Sequence, residues 1–565
     1  MRTRIIQNDV EPPRPPATVG DPSSEQPKTR NVAARAVHWS ADHRKAATVG
    51  GIAFVVVAVL VAALSTALAQ VGASVGPRES ASAAAQPGIS WTPCGPRLEC
   101  ANVRVPLNWR KPGGRQIVLA VARHLASRPD ERIGSLFVNP GGPGDSGVGT
   151  VTERGESLDA LTGGRFDIVG WDPRGSGGST PVSCFRDDAQ RARFWDGQPV
   201  PTTAGDQRRY LAKSKGLARR CGPLNGKLLA HISTADTVRD LDHLRRLVGD
   251  RRLTFLGEST GTFLGQTYAN MFPRRVRAMA LDGLEDPVNY TRGTAALLAR
   301  SLKDVDRLFD AFLVNCQRVG PARCALAGQG PVAKRANRLL ARLRRGPIPA
   351  PSASPPDELT YGEALSVIKF EGLPRPSAWP ELARQLDAAA DGDGSALEAT
   401  ANLGFASAEF HRRLEPGQAL LCADSPARQR PRAWPGVVRR LEAISRIGGS
   451  GMGWLIGAPC AAWPTQSSER YTGPWSARTR NPVLLIGTRL DPNTPLVNAK
   501  SVQRRLRNAV VLTHNGYGHL SAADPSACVT AALRRYLVAL DTPRRGTICR
   551  SDRRPFDPLF GQPLP

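Results

Sequence analysis

The chain has 565 residues, with 76 Lys+Arg against 49 Asp+Glu and a formal net charge of +27. A hydrophobic fraction of 41% can bury a core and excludes a disordered chain, while the 55 Gly and 48 Pro lack a collagen period. The basic residues are mostly Arg, scattered, without dense runs or interleaved aromatics, so no nucleic-acid partner is expected.

Residues 1–45 are polar, rich in Pro and Arg, and lack hydrophobic periodicity, so they read as a disordered basic tail or a long signal n-region. No charge appears from Ala46 to Ala69, whose centre is Ile52-Ala53-Phe54-Val55-Val56-Val57. A run of about 20 apolar residues spans a bilayer as a helix. Arg35, Arg44 and Lys45 precede it, which keeps the tail cytoplasmic and exports the rest. Ala67-Leu68-Ala69 before Gln70 also fits signal peptidase cleavage, so 46–69 is either a transmembrane anchor or a cleaved signal. Membrane attachment holds only if it is uncleaved. Residues 70–90 read as a linker, and everything beyond is expected to be extracytoplasmic.

All ten cysteines follow the apolar segment. An even number in an exported chain implies five disulfides. Short loops favour sequential neighbours: Cys94–Cys100, Cys184–Cys221, Cys316–Cys324, Cys422–Cys460 and Cys528–Cys549.

Beyond the linker, β-branched apolar runs predict strands at Gln116–Ala122, Ser135–Asn139, Phe166–Trp171, Leu253–Gly257, Val276–Leu281, Val483–Gly487 and Ala509–Thr513. Helical patterns lie between them, at Thr234–Val248 with Ser233 as N-cap and at Thr260–Met271. The alternation predicts an α/β fold with a mostly parallel sheet. Residues 290–478 differ: they are helix-rich, Pro-broken and without a convincing buried strand. They read as a cap inserted between the core parts 91–289 and 479–550, with 551–565 as a tail.

After the second predicted strand comes NPGGPGDSG at 139–147, whose glycines let backbone approach a substrate carbonyl; Gly142 is the candidate oxyanion donor. Without a Gly-Lys-Ser/Thr ending it is no phosphate loop. In WDPRGSGG at 171–178, Asp172 and Arg174 read as an internal ion pair framing the site. Gly257-Glu258-Ser259-Thr260-Gly261 is G-x-S-x-G between a predicted strand and a predicted helix, the setting that exposes a nucleophilic Ser above a sheet. Thr260 N–H would be the second oxyanion donor. The order Ser, acid, His then points to Asp491, just beyond the strand at Val483, and to His519 after a Gly-Tyr-Gly turn. His514 is the alternative base; His411, inside the insertion, reads as a solvated helix residue. HExxH is absent and the late histidines lack a third ligand, so no metal or cofactor is expected.

Taken together, NPGGPGDSG, WDPRGSGGSTPVSC, STADTVRDLDHLRRLVG, GESTGT, GTRLDPNTP and GYGHLS resemble the secreted α/β-hydrolases of the tripeptidyl aminopeptidase (TAP-like) family, relatives of prolyl aminopeptidases. The resemblance runs from about Trp91 to Cys549 and implies an α/β-hydrolase fold with Ser259, Asp491 and His519 as nucleophile, acid and base. Thr260 departs from the Tyr common after the family's nucleophile, which makes the pocket wall smaller and more polar. The expected activity is an exported serine aminopeptidase acting on short peptides with free N-termini. A carboxylesterase of the same fold and an inactive cell-surface binding protein are the alternatives. A capped site that selects a positively charged α-amine needs a partly buried carboxylate, for which Glu258, Glu285 and Asp286 are the candidates; each also reads as a turn acid or structural partner.

Overall fold

The computed structural model describes residues 88–560, apart from 196–199, 355, 405–407 and 468. The tail, the apolar segment 46–69 and most of the linker lie outside the described residues. Among the described residues no helix is long and apolar enough to cross a membrane.

The strands are β1 (Thr92–Gly95), β2 (Leu98–Pro106), β3 (Gln116–His124), β4 (Gly134–Asn139), β5 (Phe166–Trp171), β6 (Leu253–Glu258), β7 (Val276–Asp282), β8 (Ile348–Ala350), β9 (Asp357–Leu359), β10 (Val483–Leu490), β11 (Ala509–Tyr517) and β12 (Ile548–Arg550). Ten of them form one sheet in the order β1-β2-β3-β5-β4-β6-β7-β10-β11-β12. The β1, β2, β3 and β5 pairings are antiparallel, and every pairing from β5 through β4 to β12 is parallel. This is an α/β-hydrolase sheet. Its central strands bury both faces, which is why they read as nearly continuous apolar runs.

Alternate residues serve the two faces. Phe137, Val169, Phe255, Met279 and Leu485 pack with Val238, Leu241 and Leu244 of helix Thr234–Leu247 and with Leu264 and Tyr268 of helix Thr260–Met271. Their neighbours Leu136, Val138, Ile168, Leu256, Ala280 and Leu484 pack with Val151 and Leu158 of helix Gly147–Thr162 and with Leu533 and Tyr536 of helix Ala527–Ala539.

Between β7 and β10 the chain runs through helices such as Val305–Val319, Val332–Arg345, Trp379–Asp391, Ala408–Asp424 and Trp434–Ile444. A separate core of Phe309, Phe312, Trp379, Trp434 and Trp454 holds them together. Two details depart from the sequence reading. β8 and β9 form a short antiparallel pair inside this region; at three residues each, with Pro349 in one and acids in the other, they show no alternation to read. A second excursion, between β5 and helix Thr234–Leu247, also joins this layer. The carboxylate of Glu415 accepts from Arg191 Nε and Cys184 N, and the Tyr210 ring lies 5.6 Å from that of Trp454.

Five disulfides join Cys94 to Cys100, Cys184 to Cys221, Cys316 to Cys324, Cys422 to Cys460 and Cys528 to Cys549. No described cysteine is free, which fits an extracytoplasmic chain.

Candidate active site

β6 ends at Glu258 and a helix begins at Thr260, leaving Ser259 alone to make the turn. Its backbone sits at φ 54° and ψ −124°, a region a non-glycine residue occupies only when its surroundings hold it there. The holding bonds are Ser259 N–H to Asp282 O at 2.9 Å, and Thr262 N–H and Oγ1–H to Ser259 O at 2.9 and 2.6 Å. Small residues make room. A Cβ at Gly261 would lie 2.5 Å from Asn139 O, and one at Gly141 would lie 2.9 Å from Ser259 Cβ. The Gly-rich loop therefore lies directly against the Ser259 turn.

His519 and Asp491 meet beyond the ends of β11 and β10. His519 Nδ1 is 3.0 Å from both Asp491 carboxylate oxygens. Asp491 Oδ1 also accepts Asn493 N–H and Thr494 N–H at 2.8 and 2.9 Å, while Oδ2 accepts Thr494 Oγ1–H at 2.8 Å. Burial alone would raise the Asp491 pKa, but the His519 charge and these donors outweigh it and hold the carboxyl below its ordinary value. Thr494 was missed in the sequence; its signal is the Asp-Pro-Asn-Thr turn, where an Asp bonds the backbone two and three residues on. The imidazole lies at the end of β7, the strand beside β6: a Cβ at Gly283, next to the Asp282 that anchors Ser259, would lie 3.5 Å from His519 Cε1.

The loop carrying His519 is tied down from two directions. His519 N–H donates to Pro374 O of the inserted region at 2.8 Å. Ser521 N–H and Oγ–H donate to Asp282 Oδ2 at 3.0 and 2.6 Å. Asp282 is buried, and burial pushes its pKa up to about 7.

Three sequence readings change. Arg174 pairs with Asp240, not with Asp172. Its Nε and Nη2 reach the two Asp240 oxygens at 2.7 and 2.6 Å, and its other protons go to the carbonyls of Leu107, His231 and Pro106. Asp172 instead accepts from Ser146 Oγ–H, Val148 N–H and Gly178 N–H, because it caps the helix that follows the Gly-rich loop. His411 is buried and stacked on Trp195 at 5.7 Å, since the second excursion covers its helix. His514, the alternative base, is fully buried beside Thr488 Oγ1, and burial lowers its pKa to about 4.

The three candidate amine-binding acids separate as well. Arg154 Nη1 and Nη2 grip Glu258 at 2.7 and 2.8 Å. Asp286 caps helix Pro287–Arg292 through Val288 N–H and Asn289 N–H, with Arg300 at 3.6 Å. Glu285 lines the cavity above Ser259.

That cavity, about 440 Å³, is lined by Gly142, Ser259, Thr260 and Glu285 from the sheet side. Two π-helical turns, Val367–Gly372 and Met452–Gly457, supply Phe370, Glu371, Met452, Leu455 and Ile456 from above. Such turns recur at functional sites. Among the described residues no group of three or more His, Cys, Asp or Glu is placed to hold a metal ion.

The family described as "alpha/beta hydrolase fold" matches residues 134–324, and the one described as "TAP-like protein" matches 448–549. The tripeptidyl aminopeptidase of Streptomyces coelicolor is 30% identical over 84% of this chain and 88% of its own length. Serine protease Hip1 of Mycobacterium tuberculosis is 30% identical over 82% and 91%, and a protein of that organism named carboxylesterase B is 29% identical over 78% and 84%. With a strained serine turn at the end of a parallel strand, an imidazole on a buried carboxylate and these relatives along most of its length, the chain belongs to the TAP-like α/β-hydrolase family and is a serine hydrolase.

Proposed function

We infer that the protein is an exported aminopeptidase that releases short peptides or residues from free N-termini. Ser259 is the nucleophile, His519 the general base and Asp491 the acid that orients it. The observation that carries this reading is His519 Nδ1 at 3.0 Å from both oxygens of buried Asp491, on the same edge of the sheet as the strained Ser259. With Nδ1 engaged, His519 Nε2 is left to take the Ser259 proton as Oγ attacks the substrate carbonyl. Thr260 and Gly142 line the same cavity, which supports their N–H groups as the donors to the developing oxyanion. The imidazolium, stabilised by Asp491, returns the proton to the leaving amine, and water releases the acyl-enzyme by the same path.

The inserted helices roof the cavity and favour chain ends over folded loops. The relatives named tripeptidyl aminopeptidase and Hip1 serine protease support a peptidase. The relative named carboxylesterase B supports the second reading, since the same residues cleave esters. A panel of free peptides, N-acetylated peptides and short acyl esters separates the two. Free peptides should be turned over best, and equal turnover of free and acetylated peptides would overturn the aminopeptidase reading. The five disulfides and the apolar segment 46–69 support export; sequencing the mature N-terminus tests it, a start at Gln70 meaning release and an intact start meaning an anchor.

The choice of base has its own test. His519→Ala should lower kcat by about 10^3-fold or more. His514→Asn should stay within about tenfold of the parent, because a buried imidazole with a pKa near 4 takes up no proton at neutral pH. The reverse ranking would move the base to His514.

A further inference from the structure

The acids around the cavity differ in what already holds them. Three carboxylates line it: Asp145, Glu285 and Glu371. Asp145 is paired with Arg413 at 2.6 Å, and Glu371 with Arg375 at 2.6 Å. Glu285 has no ion pair among the described residues, its Oε2 has no hydrogen-bond partner, and it is only 6% exposed.

Its backbone, by contrast, is fixed at both ends. Glu285 N–H donates to Thr262 Oγ1 at 2.9 Å, and Glu285 O accepts Gln266 Nε2–H at 3.0 Å. The same Thr262 hydroxyl bonds Ser259 O, so the nucleophile turn and Glu285 are built on one hydroxyl. The register agrees. Glu258 lies opposite Asp282 in adjacent strands, which puts Glu285 a few residues along the edge from Ser259.

A buried polar group without a partner costs stability, and a carboxylate costs most. Burial first, then Asp491 and Asp286, pushes the Glu285 pKa up to about 8. A fold keeps such a group at a cavity wall when a ligand supplies the missing partner. Ser301, Arg413, Gln418 and Asn493 also line the cavity, but the wall formed by Tyr290, Leu297, Leu298, Leu421, Leu455 and Ile456 is mostly apolar.

Resting on the aminopeptidase reading, we propose that Glu285 receives the α-ammonium group of the substrate, and that the apolar wall beside it selects peptides whose N-terminal side chain is apolar. Glu258 and Asp286 take no part, since Arg154 and a helix N-terminus already occupy them. An ammonium against an acyl-side carboxylate also orders the chain, presenting a carbonyl near the N-terminus to Ser259.

The test compares kcat/KM for a leucine-initiated tripeptide anilide with its N-acetyl form, in the parent and in Glu285→Gln, with turnover of a short acyl ester as the common reference. The parent should prefer the free amine at least about thirtyfold, the low end of what one lost partner of a buried charge pair costs. In Glu285→Gln the ratio should fall to within about threefold of unity. A parent ratio near unity, with ester turnover still abolished by Ser259→Ala, would overturn the aminopeptidase reading and this proposal with it. A parent preference that survives in Glu285→Gln would overturn the Glu285 assignment alone. Replacing the leucine by aspartate or lysine should cost about tenfold or more, and equal rates would overturn the side-chain half. Glu285→Met supplies a readout that catalysis does not enter: the ligand-free protein should melt at a higher temperature, because an unpaired buried acid has been removed. A lower melting temperature would mark Glu285 as structural and overturn the proposal.

Discussion

Ser259→Ala should abolish turnover of peptides and esters alike and remove all labelling by a fluorophosphonate probe. The expected loss is on the order of 10^4–10^6 in kcat, because without the hydroxyl no acyl-enzyme forms and the base has no proton to take. Fold and binding should survive the change. Ser259 Oγ is in none of the bonds that hold the turn; those run through its backbone N–H and C=O. Alanine also relieves no clash and opens no core cavity, since the residue faces the active-site cavity. The measurement is probe labelling with initial rates on both substrate classes, alongside a melting curve. Residual labelling at another serine, or turnover within tenfold of the parent, would sink Ser259 as nucleophile.

Arg174→Met should produce the largest loss of stability, about 3–5 kcal/mol, the cost of removing one partner from a buried ion pair. Arg174 and Asp240 are both completely inaccessible, and the five guanidinium protons are all used. Methionine would strand the Asp240 carboxylate with Trp109 Nε1–H at 3.0 Å as its remaining bond, and would leave the carbonyls of Pro106, Leu107 and His231 unpaired. The damage should reach the site. Arg174 fixes the loop after β5, and Asp172 in that loop caps the helix behind the Gly-rich segment. Denaturant unfolding checks the value, read as a lower midpoint at an unchanged slope. Arg174→Met/Asp240→Leu should recover part of the loss, since two apolar groups bury without a stranded charge. A single-variant loss under about 1 kcal/mol would show that the pair is not the support described.

What could be read along the chain is what local geometry imposes. A strand buried on both faces is apolar at most positions, so Phe166–Trp171 and Leu253–Gly257 announced themselves despite Asp167 and Thr254, and the structure extends the latter only to Glu258. A nucleophile turn must have small flanking residues, so Gly257-Glu258-Ser259-Thr260-Gly261 carried its conformation in five letters. The edge strands β1 and β12, and β2 beside the first of them, escaped notice, since β1 and β12 are short and none of the three is buried on both faces.

Partnership was not legible. Glu258, Glu285 and Asp286 are equivalent as letters, yet one is gripped by an arginine 104 positions away, one caps a helix and one is left open to the cavity. Arg174 stands two residues from Asp172 and finds its anion 66 positions away. Periodicity and turn chemistry report how the backbone runs through a few neighbouring residues. Burial and charge pairing depend on which distant segments the fold brings together, and the tertiary structure alone decides which carboxylate is left without a partner.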